Sequence, residues 1–249
     1  MNFSSLWRRL ALAVQFLTVV RVRVSDPVTA DELRDSTYFF PVVGLGLGMV
    51  LAATGWALGC VFTWPVVAAL LVVELVALTG ALHLDGLADM CDGFYAGRDR
   101  DDTLRIMKDP HIGTMGVVGL VCALGLKAVA LMNVPAHRSL WVVVAAPVVG
   151  RSVVLLACAM GRYAREEGTG KIYIGQLGRD HAWMALAMVV FGCTMIRQFV
   201  PAALAFVLAG IWLVLFVRYC NRRIGGLTGD TVGALNETTE LIVWLAASC

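Results

Sequence analysis

The sequence has few charged residues for its length. Lys, Arg, Asp and Glu together make up 15% of the 249 residues, and the mean hydropathy is +0.78. Soluble globular domains carry about a quarter charged residues, so this composition argues against that class. The net charge of +2 gives no reason to expect nucleic acid as a partner. We therefore expect one transmembrane domain that spans residues 1–249.

Several common site patterns are missing. The seven cysteines are scattered and form no CxxC pair, so neither a zinc site nor a disulfide framework is indicated. The loop YAREEGTGK contains Gly and Lys but does not match a Walker phosphate loop. No internal repeat is visible, whereas many transporters are built from repeated halves.

Long apolar runs are abundant. A membrane span needs about 20 mostly apolar residues. Seven runs meet this requirement, the last of them weakly, and the all-α fold predicted is a polytopic helical bundle. Gly44 and Gly48 form a small-residue face in the first run, which favours close helix contact. The predicted spans are residues 38–62, 65–82, 113–133, 140–160, 182–199, 202–217 and 232–247.

The N-terminal segment is basic and then apolar, like a signal peptide, but no small-residue cleavage site follows it. We predict an interfacial amphipathic helix instead, with Arg8, Arg9, Arg21 and Arg23 at the lipid headgroups.

The cations are distributed asymmetrically about the predicted spans. With a cytoplasmic N-terminus, most lie on the cytoplasmic side, which is the positive-inside pattern. Only Arg138 and Arg197 lie on the other side, and Lys127 and Arg151 fall within spans. The Asp residues are also cytoplasmic, so chemistry is expected at that face. The cytoplasmic cations are Arg8, Arg9, Arg21, Arg23, Arg34, Arg98, Arg100, Arg105, Lys108, Arg162, Arg165, Lys171, Arg179, Arg218, Arg222 and Arg223.

Three aspartates follow the second predicted span in the segment HLDGLADMCDG. On a helix, the spacing of Asp85, Asp89 and Asp92 directs all three carboxylates to one side. Like charges this close repel unless a cation lies between them. Oxygen ligands of this kind suit Mg²⁺. The alternative is a solvated helix start whose carboxylates interact with the helix dipole.

Basic residues follow these acids on the same side of the membrane. Arg105 and Lys108 are of the types that commonly grip phosphate. Together with a metal-binding acidic trio they suit a metal-bound diphosphate. The alternative is that they only anchor the protein at the cytoplasmic membrane surface.

Ionisable residues also occur inside the predicted spans, where each is costly unless paired or facing water. Glu74 would share the face of Asp85 if the helix were continuous between them. A polar cleft entering from the cytoplasm would accommodate the whole set, and buried ion pairing is the alternative. The set comprises Glu74, Lys127, Arg151, Glu237 and Glu240.

A second acidic segment lies near the C-terminus, in GGLTGDTVGALNETTE. Asp230 and Glu237 fall on one helix face, after a glycine-rich loop. The helix start near Asp230 either caps itself or binds phosphate through its backbone N–H groups. His83 lies off the face of Asp85, so we expect it to hydrogen-bond substrate or backbone and not to bind metal.

Four of these segments, in this order, resemble the cobalamin synthase family, also called adenosylcobinamide-GDP ribazoletransferase. They are ALHLDGLADMCDGF, RIMKDPHIGTMG, YAREEG and GGLTGDTVGALNETTE, and the stretches VQFLTVVRV and FFPVVGLGLG resemble the start of that family. The resemblance covers almost the whole chain. It implies a Mg²⁺-dependent enzyme of the inner cell membrane that acts on adenosylcobinamide-GDP and α-ribazole or its 5′-phosphate. The products would be adenosylcobalamin, or its 5′-phosphate, and GMP.

The reaction that the resemblance implies suggests a role for each of the candidate residues named above. Asp85, Asp89 and Asp92 would hold Mg²⁺, and one of them or Glu237 would accept the proton of the attacking hydroxyl. The remaining candidates would bind substrate: His83, Arg105, Lys108, Arg151, Asp230 and Glu74. A homo-oligomer, or a complex with other cobalamin-assembly enzymes, is a further expectation.

Two other functions are compatible with the same features. A CDP-alcohol headgroup phosphotransferase also places Asp clusters at a cytoplasmic face, but its characteristic spacing, with an Arg after the first Asp-Gly, is missing here. A cation- or proton-coupled transporter would use Glu74, Lys127 and Arg151 as a relay near the midplane.

Overall fold

The computed structural model describes residues 3–24 and 27–249. Within those ranges the chain is all-helical, with no β-strand, which confirms the predicted fold class. Short 3-10 turns occur at Thr37–Phe39 and Thr169–Ile172. The helices are α1 (Phe3–Leu17), α2 (Ala30–Ser36), α3 (Phe40–Gly59), α4 (Trp64–Thr79), α5 (Leu82–Ala96), α6 (Arg100–Ile106), α7 (Thr114–Met132), α8 (Ala136–Met160), α9 (Arg179–Thr194), α10 (Phe199–Ile224) and α11 (Gly229–Ala247).

Each predicted span coincides with a helix, but fewer helices qualify as spans than the seven predicted. In the described chain, four helices are long and apolar enough to cross a membrane, or five if the bent pair α4–α5 is one span. Helix α9 has 16 residues, or about 24 Å, against a hydrocarbon core of about 30 Å. Helix α11 carries charged residues that the bundle buries. The fold is that of a polytopic helical membrane protein.

The chain bends sharply between α4 and α5. Gly80 and Ala81 both have left-handed backbone conformations, with φ of +59° and +58°, and the two helices meet at 93°. The helix is therefore not continuous from Glu74 to Asp85. The expectation that these two residues share a face is wrong. Glu74 instead accepts a hydrogen bond from Thr54 of α3, at 2.9 Å.

Helix α8 forms the centre of the bundle and packs against α3, α9 and α11. A Cβ on Gly44 would lie 2.4 Å from the carbonyl oxygen of Pro147, and one on Gly48 would lie 2.6 Å from the Cα of Val144. Both approaches are too close for any side chain larger than hydrogen. The predicted small-residue face of α3 is thus confirmed as its contact with α8.

Helix α1 packs on the same end of the bundle as the starts of α3 and α5. Ala13 and Leu17 are buried, whereas Trp7 is exposed, as expected for an amphipathic helix. Arg8 forms an ion pair with Glu32 at 2.7 Å, and Arg9 forms one with Asp35 at 2.8 Å. These two cations thus hold α2 against α1.

Candidate active site

Two glycines bring the acidic segments of α5 and α11 together. A Cβ on Gly86 would lie within 2.8 Å of backbone atoms of Asp230, and one on Gly233 would lie 3.1 Å from the carbonyl oxygen of His83. The missing side chains allow the two backbones to touch. The start of α11 is thereby placed beside the first turns of α5.

This contact creates a cluster of carboxylates. The charges that act most strongly on Asp89 are those of Asp230 and Asp85, then Arg165 and Asp92. Asp85 is exposed, and Asp89 and Asp230 are partly exposed. We call Asp85, Asp89 and Asp230 the acidic cluster. Three carboxylates beside one arginine leave an excess of negative charge, which favours binding of a cation.

Asp230 occupies the first turn of α11. Thr228 caps this helix by accepting a hydrogen bond from the Thr231 amide, and the Thr231 hydroxyl in turn accepts one from the Thr228 amide. The helix start thus caps itself, which was one of the two predicted alternatives. Arg165 donates to the Asp230 carboxylate at 2.8 Å. Burial raises the pKa of Asp230, and Arg165 opposes that shift.

Asp92 is engaged elsewhere. Its two carboxylate oxygens accept hydrogen bonds from the backbone amides of Gly113 and Gly116, at 2.7 and 2.8 Å. It therefore caps the start of α7 from a neighbouring helix, where a negative charge also complements the helix dipole. These two hydrogen bonds hold the start of α7 against α5, close to the acidic cluster.

The carboxylates of the acidic cluster are ligands of the type that Mg²⁺ prefers. Among the described residues, no three His, Cys, Asp or Glu side chains are grouped closely enough to hold a metal ion by themselves. Mg²⁺ usually binds through one or two carboxylates and completes its shell with water and substrate phosphate. Asp85 and Asp89, one helix turn apart and not buried, meet that requirement. The donor set fits a Mg²⁺ ion that arrives with a diphosphate.

An apolar cavity of about 170 Å³ opens beside the cluster. Asp85 and Asp230 form its acidic edge, and His83 forms part of its wall. Three aromatic rings pack against one another along it, with centroids 5.5 to 6.2 Å apart. These rings belong to Phe16, Phe40 and Tyr173.

A cleft of about 510 Å³, here called the cationic cleft, lies next to Arg165, the ion-pair partner of Asp230. Four cations and three acids line it, so positive charge is in excess by one: Arg100, Arg105, Lys108 and Arg165, with Asp101, Glu166 and Glu167. Arg105 also pairs with Asp102 at 2.6 Å, while Lys108 is exposed. Since Arg165 contacts Asp230 as well, the cleft and the acidic cluster share a wall. Such a cleft suits a phosphate-bearing ligand.

The charges buried in the helices form a separate group. Lys127 lies 2.6 Å from both Glu237 and Glu240, and Arg151 pairs with Glu240. Asn236 donates to both glutamates. Two cations and two carboxylates balance one another, which is the condition under which buried charges are tolerated. This buried ion cluster joins α7, α8 and α11.

The structure thus brings together part of the predicted site. Asp85, Asp89 and Asp230 form the acidic cluster, with His83 in the cavity beside it. Arg105 and Lys108 line the cleft. Glu237 and Arg151 lie in the buried ion cluster and line neither space. The predicted polar cleft shared by all five buried charges is therefore wrong, because four of them pair with one another and Glu74 hydrogen-bonds to Thr54.

Sequence reasoning missed two features of the site. In the sequence, Arg165 is one of many cytoplasmic cations, although its segment YAREEG is among those that carry the family resemblance. The aromatic wall was missed because Phe16, Phe40 and Tyr173 come from three distant segments. In the sequence, each reads as an ordinary apolar residue.

Comparisons with known proteins agree with the resemblance. The family model described as Cobalamin-5-phosphate synthase matches residues 9–248. An adenosylcobinamide-GDP ribazoletransferase of Chlorobium phaeovibrioides is 38% identical over 242 residues, which cover 96% of each chain.

Two further relatives carry the same name. The protein of Stutzerimonas stutzeri is 41% identical and covers 94% of this chain and 95% of its own. That of Syntrophobacter fumaroxidans is 37% identical and covers 98% and 99%. No solved structure matches the chain significantly. The chain belongs to the cobalamin-5-phosphate synthase family and is a transferase.

Proposed function

We propose that this protein joins adenosylcobinamide-GDP to α-ribazole or its 5′-phosphate, releasing GMP. The observation that carries the proposal is the position of the acidic cluster, between a cationic cleft and an aromatic cavity, in a member of this family. A transferase with two unlike substrates needs two unlike binding spaces that meet at the reacting atoms.

The cationic cleft is assigned to the GDP end of the donor. Arg105, Lys108 and Arg165 are placed to contact phosphate oxygens there. Arg can form two parallel hydrogen bonds to phosphate, and Lys acts as a point charge. These contacts would orient the diphosphate and stabilise the charge that develops on GMP as it leaves.

Asp85 and Asp89 are assigned to a Mg²⁺ ion. When bound there, the ion would neutralise charge on the diphosphate and polarise its phosphorus. Asp230 contributes to the negative potential that draws the ion in, and Arg165 fixes the position of its carboxylate. Asp92 keeps α7 against α5, behind the cluster.

The acceptor hydroxyl attacks the phosphorus on the cobinamide side of the diphosphate. A new phosphorus–oxygen bond forms, and the bond to the bridging oxygen breaks, so GMP leaves with the electron pair. The hydroxyl proton is assigned to the acidic cluster, which forms the edge of the cavity through Asp85 and Asp230. Glu237 is not assigned this role, because it pairs with Lys127 in the interior.

We place the site at the cytoplasmic face of the inner cell membrane. The support is the distribution of cations along the sequence, since Arg105, Lys108 and Arg165 fall on the side that is rich in Arg and Lys. A nucleotide-linked donor is also a cytoplasmic type of substrate.

The test uses the full-length protein in lipid nanodiscs with Mg²⁺. Adenosylcobinamide-GDP and α-ribazole are added together, and GMP and the cobalamin product are measured in parallel. We expect equal amounts of both, and neither without the acceptor. Release of CMP from a CDP-alcohol, or ion uptake into liposomes without any nucleotide, would contradict the proposal if this pair of substrates gave no product.

A further inference from the structure

We propose that the aromatic cavity is the binding site for the aromatic base of the acceptor, and that His83 hydrogen-bonds the acceptor there. This inference rests on the proposed function and names the subsite that one of its substrates occupies. We define the aromatic cavity by Phe16, Phe40, Tyr173, His83 and Cys158, with Asp85 and Asp230 at its edge.

The cavity matches a flat aromatic group in size and chemistry. Its volume is about 170 Å³, and an apolar cavity of about 150 Å³ is large enough to take up benzene. Phe16, Phe40 and Tyr173 provide ring faces and edges for stacking. A ribazole consists of an aromatic azole base on a ribose, whereas the corrinoid donor is far too large for this space.

His83 supplies a second, independent indication of a ligand. The residue is 7% exposed, and within residues 3–24 and 27–249 its Nδ1 has no hydrogen-bond partner. A buried polar atom without a partner is costly and rare in native structures. His83 lines the cavity, so an acceptor bound there would meet an imidazole whose hydrogen bonding is incomplete.

The edge of the cavity sets the direction in which the acceptor lies. With the base among the aromatic rings, its ribose would face Asp85 and Asp230, which is where a reacting hydroxyl is needed. A lipid acyl chain offers no hydrogen bond to His83 and would place hydrocarbon against two carboxylates. The chemistry therefore favours the nucleoside over a lipid.

The experiment fills the cavity and measures each substrate separately. Cys158→Met adds volume to the cavity wall, and Cys193→Met makes the same change at a buried cysteine of α9 that does not line it. We expect Cys158→Met to raise the KM for α-ribazole about tenfold or more, since small changes in an apolar pocket have effects of this size. The KM for adenosylcobinamide-GDP should stay within about twofold in both variants.

Base size gives a readout that a general packing defect would not change. We compare α-ribazole with an analogue that carries a smaller aromatic base. In Cys158→Met the smaller base should be affected less, so the ratio of the two KM values should change. In Cys193→Met the ratio should equal that of the wild type. His83→Leu should weaken α-ribazole binding in equilibrium dialysis, with donor binding retained.

The outcomes separate this inference from the proposed function. If the wild type forms no product and binds no α-ribazole, the proposed function itself fails. If the wild type is active but Cys158→Met and His83→Leu keep the wild-type KM and affinity for α-ribazole, only the cavity assignment is overturned. The same holds if Cys158→Met expels a co-purified lipid without changing that KM.

Discussion

Arg165 lies 2.8 Å from Asp230, and this ion pair joins the loop after α8 to the first turn of α11. The guanidinium also reaches the backbone carbonyl of Met107, at 3.5 Å. One side chain thus touches the acidic cluster, the cationic cleft and the segment that follows α6. We regard it as the residue that couples donor binding to the acidic cluster.

Replacement of Arg165 should reduce the rate of transfer strongly. Arg165→Met removes both the phosphate contact and the partner of a partly buried carboxylate, so we expect kcat/KM for the donor to fall about 100-fold or more. Arg165→Lys keeps the charge but loses the forked geometry, and it should retain an intermediate rate. Initial rates of GMP release measure both.

The control for this series is Arg179→Met, at the exposed start of α9. It removes the same charge from the same stretch of chain without touching the cluster. The assignment of Arg165 would be wrong if its two variants and this control all had wild-type rates.

Asp92 should behave differently from the acidic cluster. Because it caps α7, Asp92→Ala should lower the free energy of unfolding by about 1–2 kcal/mol. Its rate per folded molecule should fall less than that of Asp89→Asn, since Asp92 acts through the position of α7. Thermal unfolding in detergent, together with GMP release, compares the two effects. A larger rate loss in Asp92→Ala than in Asp89→Asn would contradict this assignment and would indicate that Asp92 is a metal ligand.

The buried ion cluster should matter for stability. Glu240→Gln leaves Lys127 and Arg151 with one carboxylate between them in the interior, so we expect a loss of about 3–5 kcal/mol. Chemical denaturation in micelles measures this loss. The matched control, Glu166→Gln on an exposed loop, should change stability by less than about 0.5 kcal/mol. Similar stabilities in the two variants would show that the cluster contributes little.

Removal of divalent metal should abolish transfer. We expect chelation with EDTA to stop GMP release and added Mg²⁺ to restore it. Asp85→Asn should raise the Mg²⁺ concentration needed for half-maximal rate by about tenfold or more, because an amide is a weaker ligand for a hard cation than a carboxylate. An undiminished rate in EDTA-treated wild type would contradict the metal assignment.

Much of the fold followed from hydrophobic patterning. Every predicted span coincides with a helix, and the spacing of Gly44 and Gly48 predicts a close helix contact, although not that α8 is the partner. The number of membrane spans could not be predicted in the same way. Hydropathy along the sequence does not reveal that Gly80 and Ala81, both in left-handed conformations, bend the chain by 93°. Nor does it reveal that the charged residues of α11 form ion pairs inside the bundle.

The candidate site was predictable where its residues are close in sequence. Asp85 and Asp89 lie on one helix face, so their spacing brings them together. Asp92 has the same spacing, yet its carboxylate caps α7. The partner of Asp92 depends on where α7 lies, and the residue spacing within α5 carries no information about the position of α7. The aromatic cavity could not be predicted for the same reason, since its three rings come from separate segments that only the fold brings together.

The most direct test of the account is single-turnover GMP release by the wild type and by Asp89→Asn, with saturating Mg²⁺, adenosylcobinamide-GDP and α-ribazole. The carboxylates of Asp230 and Asp85 are the charges that act most strongly on Asp89, so its carboxylate is central to the acidic cluster. We expect the rate in Asp89→Asn to fall about 100-fold or more, with donor affinity nearly unchanged. A near wild-type rate in that variant would contradict the claim that the acidic cluster carries the reaction.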